Sequence, residues 1–305
     1  MPPRYIHMNG ALIPYEDAKV HIQTPAMKFG IGVFEGVRGY WNHKRGEMFV
    51  FRLQEHLDRL QFSMRVMRMD HSITHAQLTQ ATLELIRANE FREDIHLRPF
   101  AWVDGEGDML ATGPVAWSIA AVARPRSKLT QGVRCAVSSW RRIGDTAMPP
   151  RVKASGNYIN SRLGAQQSQL DGYDTVLMLT EQGKVAESYG SCFFMIRNGR
   201  PITPPVTSSI LESITRDSLM TLLEEMTGKP VEEREIDRTE LYAAEEAFLC
   251  GSSYEVQPIL SVDRLDVGTG KMGELTKRLQ QRYFDVVYGE TNEHSAWLTP
   301  VYGVR

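Results

Sequence analysis

Apolar positions along this chain follow two alternating habits. In "YIHMNGALIPY" short apolar stretches flank Asn9-Gly10, the strongest two-residue hairpin signal, so the chain is predicted to start antiparallel. "GVFEGVRGYWNHKRGEMFVFRL" continues with strand-forming residues interrupted at Gly46. The period then changes. In "QEHLDRLQFSMRVM", Leu57, Leu60, Met64 and Met67 fall on one helical face, with Arg59 off it, and "HAQLTQATLELIRANE" repeats the pattern with Leu78, Leu85 and Ile86 before running out near Asn89. Strand-like "DIHLRPFAWV" and "VAWSIAAVA" follow.

The segment "RPRSKLTQG", residues 124–132, is polar, basic and proline-bearing between two apolar strands, and is read as a linker. It divides the chain into a smaller domain at 1–123 and a larger one at 133–305. The second part opens with the strand "VRCAVSSW". After "VKASGNY" a helix is predicted with Ile159, Leu163 and Leu170 on its apolar face and Gly172 at its end. A buried strand "DTVLMLT" and hairpins turning at Gln182-Gly183 and Asn198-Gly199 come next. "TPPVTSSILESITRDSLMTLLEEMTG" feeds a proline-rich loop into a helix with Leu219, Leu222, Leu223 and Met226 on one face, Asp217 in the first turn and Gly228 past the end. Strands "EEAFLC" and "VQPILSV" flank the corner "GSSYE", and a terminal helix carries Leu275, Leu279, Tyr283 and Val287. The fold class is therefore mixed α and β (α+β), with hairpins that argue against a doubly wound parallel sheet.

Composition narrows the partners. The 305 residues are 42% hydrophobic and 24% charged with a net charge of −2, an ordinary globular balance that does not favour nucleic acid. Three scattered cysteines, Cys135, Cys192 and Cys250, supply neither a disulfide framework nor a C-x-x-C motif. No stretch has the apolar length of a membrane span, and the start lacks a signal-peptide core, so a cytoplasmic location without membrane attachment is expected.

Candidate chemistry centres on "VKASGNY". Lys153 sits among small residues with no carboxylate within four positions. It reads either as a solvated surface lysine or as a nucleophilic amine that forms a Schiff base. "SSILESITRD" would present backbone amides of Ser213, Ile214 and Thr215 at a helix start, an anion site or a plain capped helix. Ser252 and Ser253 of "CGSSYE" offer hydroxyls or mark a turn. Arg59 has the planar geometry to clamp a phosphate or lies on a solvated face. Glu187, among strand formers in "GKVAESYG", is either edge-exposed or paired with a cation or a protonated ring nitrogen. The chain has no G-x-G-x-x-G, P-loop, H-E-x-x-H or G-x-S-x-G motif, and no metal ligand set is expected.

In their order along nearly the whole chain, "NGALIPYEDAKVHI", "GVFEGVRGY", "EHLDRL", "LRPF", "VKASGNY", "VAES", "TPPVTSSILESITRD", "CGSSYEVQPI" and "LTKRLQQRYFDV" resemble the branched-chain amino acid aminotransferases of the fold type IV class. The resemblance implies a two-domain fold with a β-barrel-like sheet in the larger domain, and pyridoxal 5'-phosphate as cofactor. It implies that Lys153 carries the cofactor as a Schiff base and serves as catalytic acid and base. It places Tyr158 by the ring's phenolic oxygen, Glu187 on the pyridine nitrogen and Leu211 on the ring face. Arg59, Ile214, Thr215 and Ser252 would hold the phosphate. On the substrate side it implies Phe29, Phe34, Gly36, Arg38, His96 and Arg98, with Ser252 and Ser253. The implied reaction moves an amino group between an aliphatic L-amino acid and a 2-oxo acid, 2-oxoglutarate being the expected acceptor, in a homodimer whose partner loop closes the site. Phe29 and His96 stand where many bacterial members carry tyrosines, Ser191 and Cys192 replace Glu and Asn, and Glu212-Ser213 replaces Pro-Gly. These departures keep an (R)-selective amine or D-amino acid transaminase open as an alternative.

Overall fold

The computed structural model describes residues 3–126 and 132–303. The chain divides into two compact units, one of Met1–Pro125, Val152–Gly156 and Asp285–Arg305, the other of Arg126–Arg151 and Asn157–Phe284. This differs from a single cut at 124–132, because two later pieces join the first unit. Ala154 bridges to Val33, and a last strand, β17 (Leu298–Pro300), pairs with β5 (Glu47–Phe51). Most of the expected linker, residues 127–131, lies outside the described residues.

In the first unit, β1 (Tyr5–Met8) and β2 (Ala11–Pro14) form the expected hairpin, with Asn9 and Gly10 both at positive φ. Strands β3 (Gly32–Phe34), β4 (Val37–Asn42), β6 (Ile95–Val103) and β7 (Val115–Ala123) complete an antiparallel sheet of order β17-β5-β4-β6-β7-β1-β2, with β3 on β6. Every residue of β4 and β5 is buried. A short helix, α1 (Pro25–Phe29), precedes β3, and α2 (Leu53–Val66) buries Leu53, Leu57, Leu60 and Met64. α3 (His75–Ala88) starts on a capping box in which the Thr74 hydroxyl accepts from the Gln77 N–H and the Gln77 side chain accepts from the Thr74 N–H. It then packs against α2, β1 and β7.

The second unit is built on a nine-stranded mixed sheet that curls as a half barrel. Its strands are β8 (Val133–Arg141), β9 (Thr175–Leu179), β10 (Val185–Ser188), β11 (Cys192–Arg197), β12 (Arg200–Thr203), β13 (Glu232–Glu233), β14 (Glu246–Gly251), β15 (Glu255–Val262) and β16 (Leu265–Asp266). β8 runs parallel to both β9 and β15, whereas the hairpins at Gln182-Gly183 and Asn198-Gly199 are antiparallel as expected. Leu177, Phe193, Met195, Leu249 and Ile259 anchor one core of this unit. α5 (Ile214–Thr227) buries Leu219, Leu222 and Leu223 and ends at Gly228 in the left-handed region. The terminal helix is α6 (Glu274–Val287), with Leu279, Tyr283 and Val287 buried.

One predicted helix face is reversed. In α4 (Ser155–Leu170), Ile159, Leu163 and Leu170 are exposed, and the buried residues are Asn157, Ser161, Gly164 and Ser168. A Cβ on Gly164 would stand 3.3 Å from Ser138 Oγ and 3.5 Å from both Met178 Sδ and Val176 Cγ1. The helix runs so close to β8 and β9 that only small side chains fit its inner face, and the apolar ones turn outward.

Candidate active site

Lys153 is fixed by its backbone. Its carbonyl accepts from the Phe34 N–H at 3.0 Å, and its own N–H donates to Ser63 Oγ of α2 at 3.3 Å. The amine itself lies 5.3 Å from the centre of the Phe34 ring, and the Arg98 guanidinium lies 4.6 Å from the same ring. Two residues expected from sequence, Lys153 and Arg98, therefore meet on the side chain of a third, Phe34. Arg59, on α2, is met by the carboxylate of Glu35, with Nε 2.7 Å from Oε1.

His96 and Arg98, two positions apart, share one face of β6, and His96 pairs with Arg38 across β4–β6. A Cβ on Gly36 would sit 3.1 Å from His96 Nε2, so the glycine admits the imidazole. Burial, joined by the charges of Arg98, Arg124, Arg38 and Lys153, pulls the His96 pKa down to about 3, leaving a neutral ring at pH 7. Arg38 is itself buried, donates from Nη1 to the Arg124 carbonyl at 2.7 Å, and stacks over Tyr40. Phe29, at the end of α1, is exposed where Phe34 and Arg38 are buried, and Lys28 Nζ stands 5.5 Å from its ring.

In the second unit the centre is Glu187 on β10, which is 5% exposed. The edge-exposed alternative is excluded: its Oε1 lies 2.9 Å from Arg142 Nη2. The Leu211 N–H points at both carboxylate oxygens, 3.4 Å from each, and the Cys192 thiol is 3.7 Å from Oε2. Glu187 and Leu211, distant in sequence, are thus brought together. Two residues beyond Leu211, Ser213 caps α5 by accepting from the Arg216 N–H at 3.3 Å, which makes Ile214 and the buried Thr215 the first two helical residues. At those positions a helix supplies no acceptor of its own for the N–H groups. Ser252 and Ser253 occupy the turn between β14 and β15, closed by the Tyr254 N–H on the Gly251 carbonyl at 3.0 Å. Tyr158 stands in the first turn of α4.

Sequence reasoning missed Glu35, His56, Ser63 and Arg142. Glu35 and His56 lie inside the quoted "GVFEGVRGY" and "EHLDRL", and a lone carboxylate in an otherwise apolar stretch was the available signal. Arg142 gave none, since one of two adjacent arginines after a strand is an ordinary surface pattern.

A family model described as amino-transferase class IV matches residues 32–262. The chain belongs to the amino-transferase class IV family. It is 37% identical to the probable branched-chain-amino-acid aminotransferase of Aquifex aeolicus (strain VF5), over 98% of this chain and 97% of that protein. The crystal structure of the branched-chain amino acid aminotransferase from Thermobaculum terrenum in its PLP form superposes with a TM-score of 0.93 at 44% identity, covering 98% of this chain and 99% of that one. The branched-chain aminotransferase from the thermophilic archaeon Thermoproteus uzoniensis, solved with norvaline, gives a TM-score of 0.93 at 37% identity, over 98% and 100% of the two chains. The mixed fold is the one the resemblance implied.

Proposed function

We propose that the protein is a pyridoxal phosphate-dependent branched-chain amino acid aminotransferase, moving the amino group of an aliphatic L-amino acid to a 2-oxo acid such as 2-oxoglutarate. The observation that carries this reading is the combination of a backbone-anchored Lys153 with a buried, ion-paired Glu187, in a chain whose relatives over full length are named for that activity. The donor set suits the cofactor: an amine and an oriented guanidinium in one unit, a buried carboxylate and a helix N-terminus in the other. Both sets lie within the residues that the family model matches.

When bound, the cofactor supplies an electron sink for the carbanion left as the α-proton departs. Lys153 Nζ would take that proton from the substrate α-carbon as general base and, as general acid, would deliver it to the cofactor side rather than back to the same carbon. Glu187, held in place by Arg142, would accept the hydrogen of a protonated ring nitrogen. Arg59, the N–H groups of Ile214 and Thr215 and the Ser252 hydroxyl would hold its phosphate, with Tyr158 by the phenolic oxygen and Leu211 by the ring. Arg98 and Arg38 meet substrate carboxylates, the neutral His96 adds a hydrogen-bonding edge, and Phe34 and Gly36, with Phe29 and Ser253, complete the substrate side.

We read the active form as a homodimer. Val20, Ile22, Met27, Phe29, Met109 and Leu110 are exposed apolar side chains on the first unit, and burying such a set stabilises association. Light scattering during gel filtration tests this, and a monomeric mass contradicts it. No helix among the described residues is long and apolar enough to cross a membrane. We infer a cytoplasmic location, and the three free cysteines suit its reducing conditions. The substrate reading is tested by steady-state turnover of L-leucine, D-alanine and (R)-1-phenylethylamine with 2-oxoglutarate. L-leucine is expected to be the preferred donor, and turnover of only the other two moves the function to the alternative.

A further inference from the structure

We propose that Glu35 and His56 are positioning residues that set the phosphate affinity of the cofactor site by orienting Arg59. The proposal rests on the pyridoxal phosphate reading. Glu35 is fully buried and follows Phe34 directly at the end of β3. Arg59 donates to it in parallel, Nε to Oε1 at 2.7 Å and Nη2 to Oε2 at 2.8 Å, so the guanidinium plane has one orientation. Oε2 also receives His56 Nδ1 at 2.7 Å and the Gly36 N–H at 3.3 Å.

The charges are consistent with a fixed scaffold. Burial alone would raise the Glu35 pKa, but Arg59 and His56 together hold it well below the usual carboxylate range. Burial lowers the His56 pKa against the pull of Glu35, and Arg59 and Lys153 lower it further. The ring is therefore neutral at pH 7, and its Nδ1 carries the hydrogen donated to Glu35. A neutral His56 leaves the Glu35–Arg59 pair as one anion facing one cation.

The same two elements also hold the lysine. Phe34 of β3 donates to the Lys153 carbonyl, and Ser63 of α2 accepts from the Lys153 N–H. His56, Arg59 and Ser63 share one face of α2. Glu35 cross-ties the end of β3 to α2 at Arg59, so the Lys153 backbone and the guanidinium are held by the same two elements. A ligand that must meet an amine at one end and an anion site at the other gains from that shared anchoring.

The test compares a phosphorylated and an unphosphorylated ligand. Apo-protein of the wild type and of Glu35→Gln, Glu35→Asp and His56→Ala is reconstituted with pyridoxal 5'-phosphate or with pyridoxal, and affinity is read from absorbance. Glu35→Gln is expected to weaken pyridoxal 5'-phosphate about tenfold or more while changing pyridoxal less than about twofold. Glu35→Asp should recover part of the loss, and His56→Ala should lose about threefold in the same selective way. Equal weakening of both ligands, or of neither, overturns the proposal. Should Glu35→Gln not fold, His56→Ala and His56→Asn carry the same comparison. A wild-type protein that forms no Lys153-linked chromophore with either ligand contradicts the cofactor reading itself, whereas a chromophore without selective loss contradicts only the role of Glu35 and His56.

Discussion

Arg142 and Glu187 form a buried ion pair, 6% and 5% exposed, with Nη2 and Oε1 2.9 Å apart. Arg142 also donates from Nη1 to Ser161 Oγ of α4 at 3.0 Å and from Nε to the Ser209 carbonyl at 3.2 Å. One guanidinium thus joins β10, α4 and the loop before α5. Removing one member of such a pair leaves the other buried and uncompensated, a loss of about 3 to 5 kcal/mol. Arg142→Met should lower the urea-unfolding free energy by about that amount, and Arg142→Lys by less. A change below about 1 kcal/mol would place the pair with weak surface contacts.

Stability should fall as the solution is acidified from pH 6.5 toward pH 3, because His96 has a folded-state pKa near 3 against an ordinary value of 6.5. In that window the unfolded chain binds the proton and the folded chain does not, so stability is complete above pH 6.5 and declines below it. The contribution is about 1.4 kcal/mol per pH unit. Glu35, whose pKa is also depressed, extends the decline below its ordinary value of 4.5. Urea midpoints of wild type and His96→Gln at pH 7.5, 6.0 and 5.0 check this, and the variant should show the shallower slope. Identical slopes contradict a buried, neutral His96.

All three thiols should be inert in the folded protein. Burial, with Glu187 nearby, pushes the Cys192 pKa up to about 12, and burial raises those of Cys135 and Cys250 as well. Nucleophilic thiolate is therefore scarce at pH 8. Ellman's reagent should label none of them within minutes under native conditions and all three in guanidinium. Rapid labelling of a native thiol contradicts this.

Residues 301–303 are latched by one carboxylate. Glu47, 3% exposed, accepts from the N–H groups of Val301, Tyr302 and Gly303 at 3.1, 2.7 and 2.9 Å. Arg92 stacks on Tyr302, and the Tyr302 hydroxyl donates to the Phe91 carbonyl at 2.7 Å. Glu47→Ala orphans several donors and should cost about 2 to 4 kcal/mol, seen as a lower melting temperature and faster amide exchange confined to 298–303. Unchanged exchange there contradicts the latch.

Local rules made much of this legible from sequence. The Asn9-Gly10 and Asn198-Gly199 turns, the Leu57–Leu60–Met64 face and the Gly228 stop all depend on residues within a few positions of each other. Lys153 stood out as a candidate because its small neighbours and the flanking motifs resemble one family. The α4 face was not, since the closeness of β8 and β9 at Gly164 overrides the apolar periodicity. Nor were the pairs Glu35 with Arg59 and Glu187 with Arg142, which depend on tertiary placement across 24 and 45 residues of chain. A carboxylate in an apolar strand needs a partner, but nothing local says which arginine answers.

The central claim is that Lys153 binds the cofactor and that an aliphatic L-amino acid discharges it. The visible spectrum of the purified holoprotein, before and after L-leucine, tests it in one cuvette, with Lys153→Ala alongside. The wild type is expected to show a yellow band that L-leucine bleaches, and Lys153→Ala no such band. A band that persists in Lys153→Ala, or one that (R)-1-phenylethylamine bleaches while L-leucine does not, would contradict it.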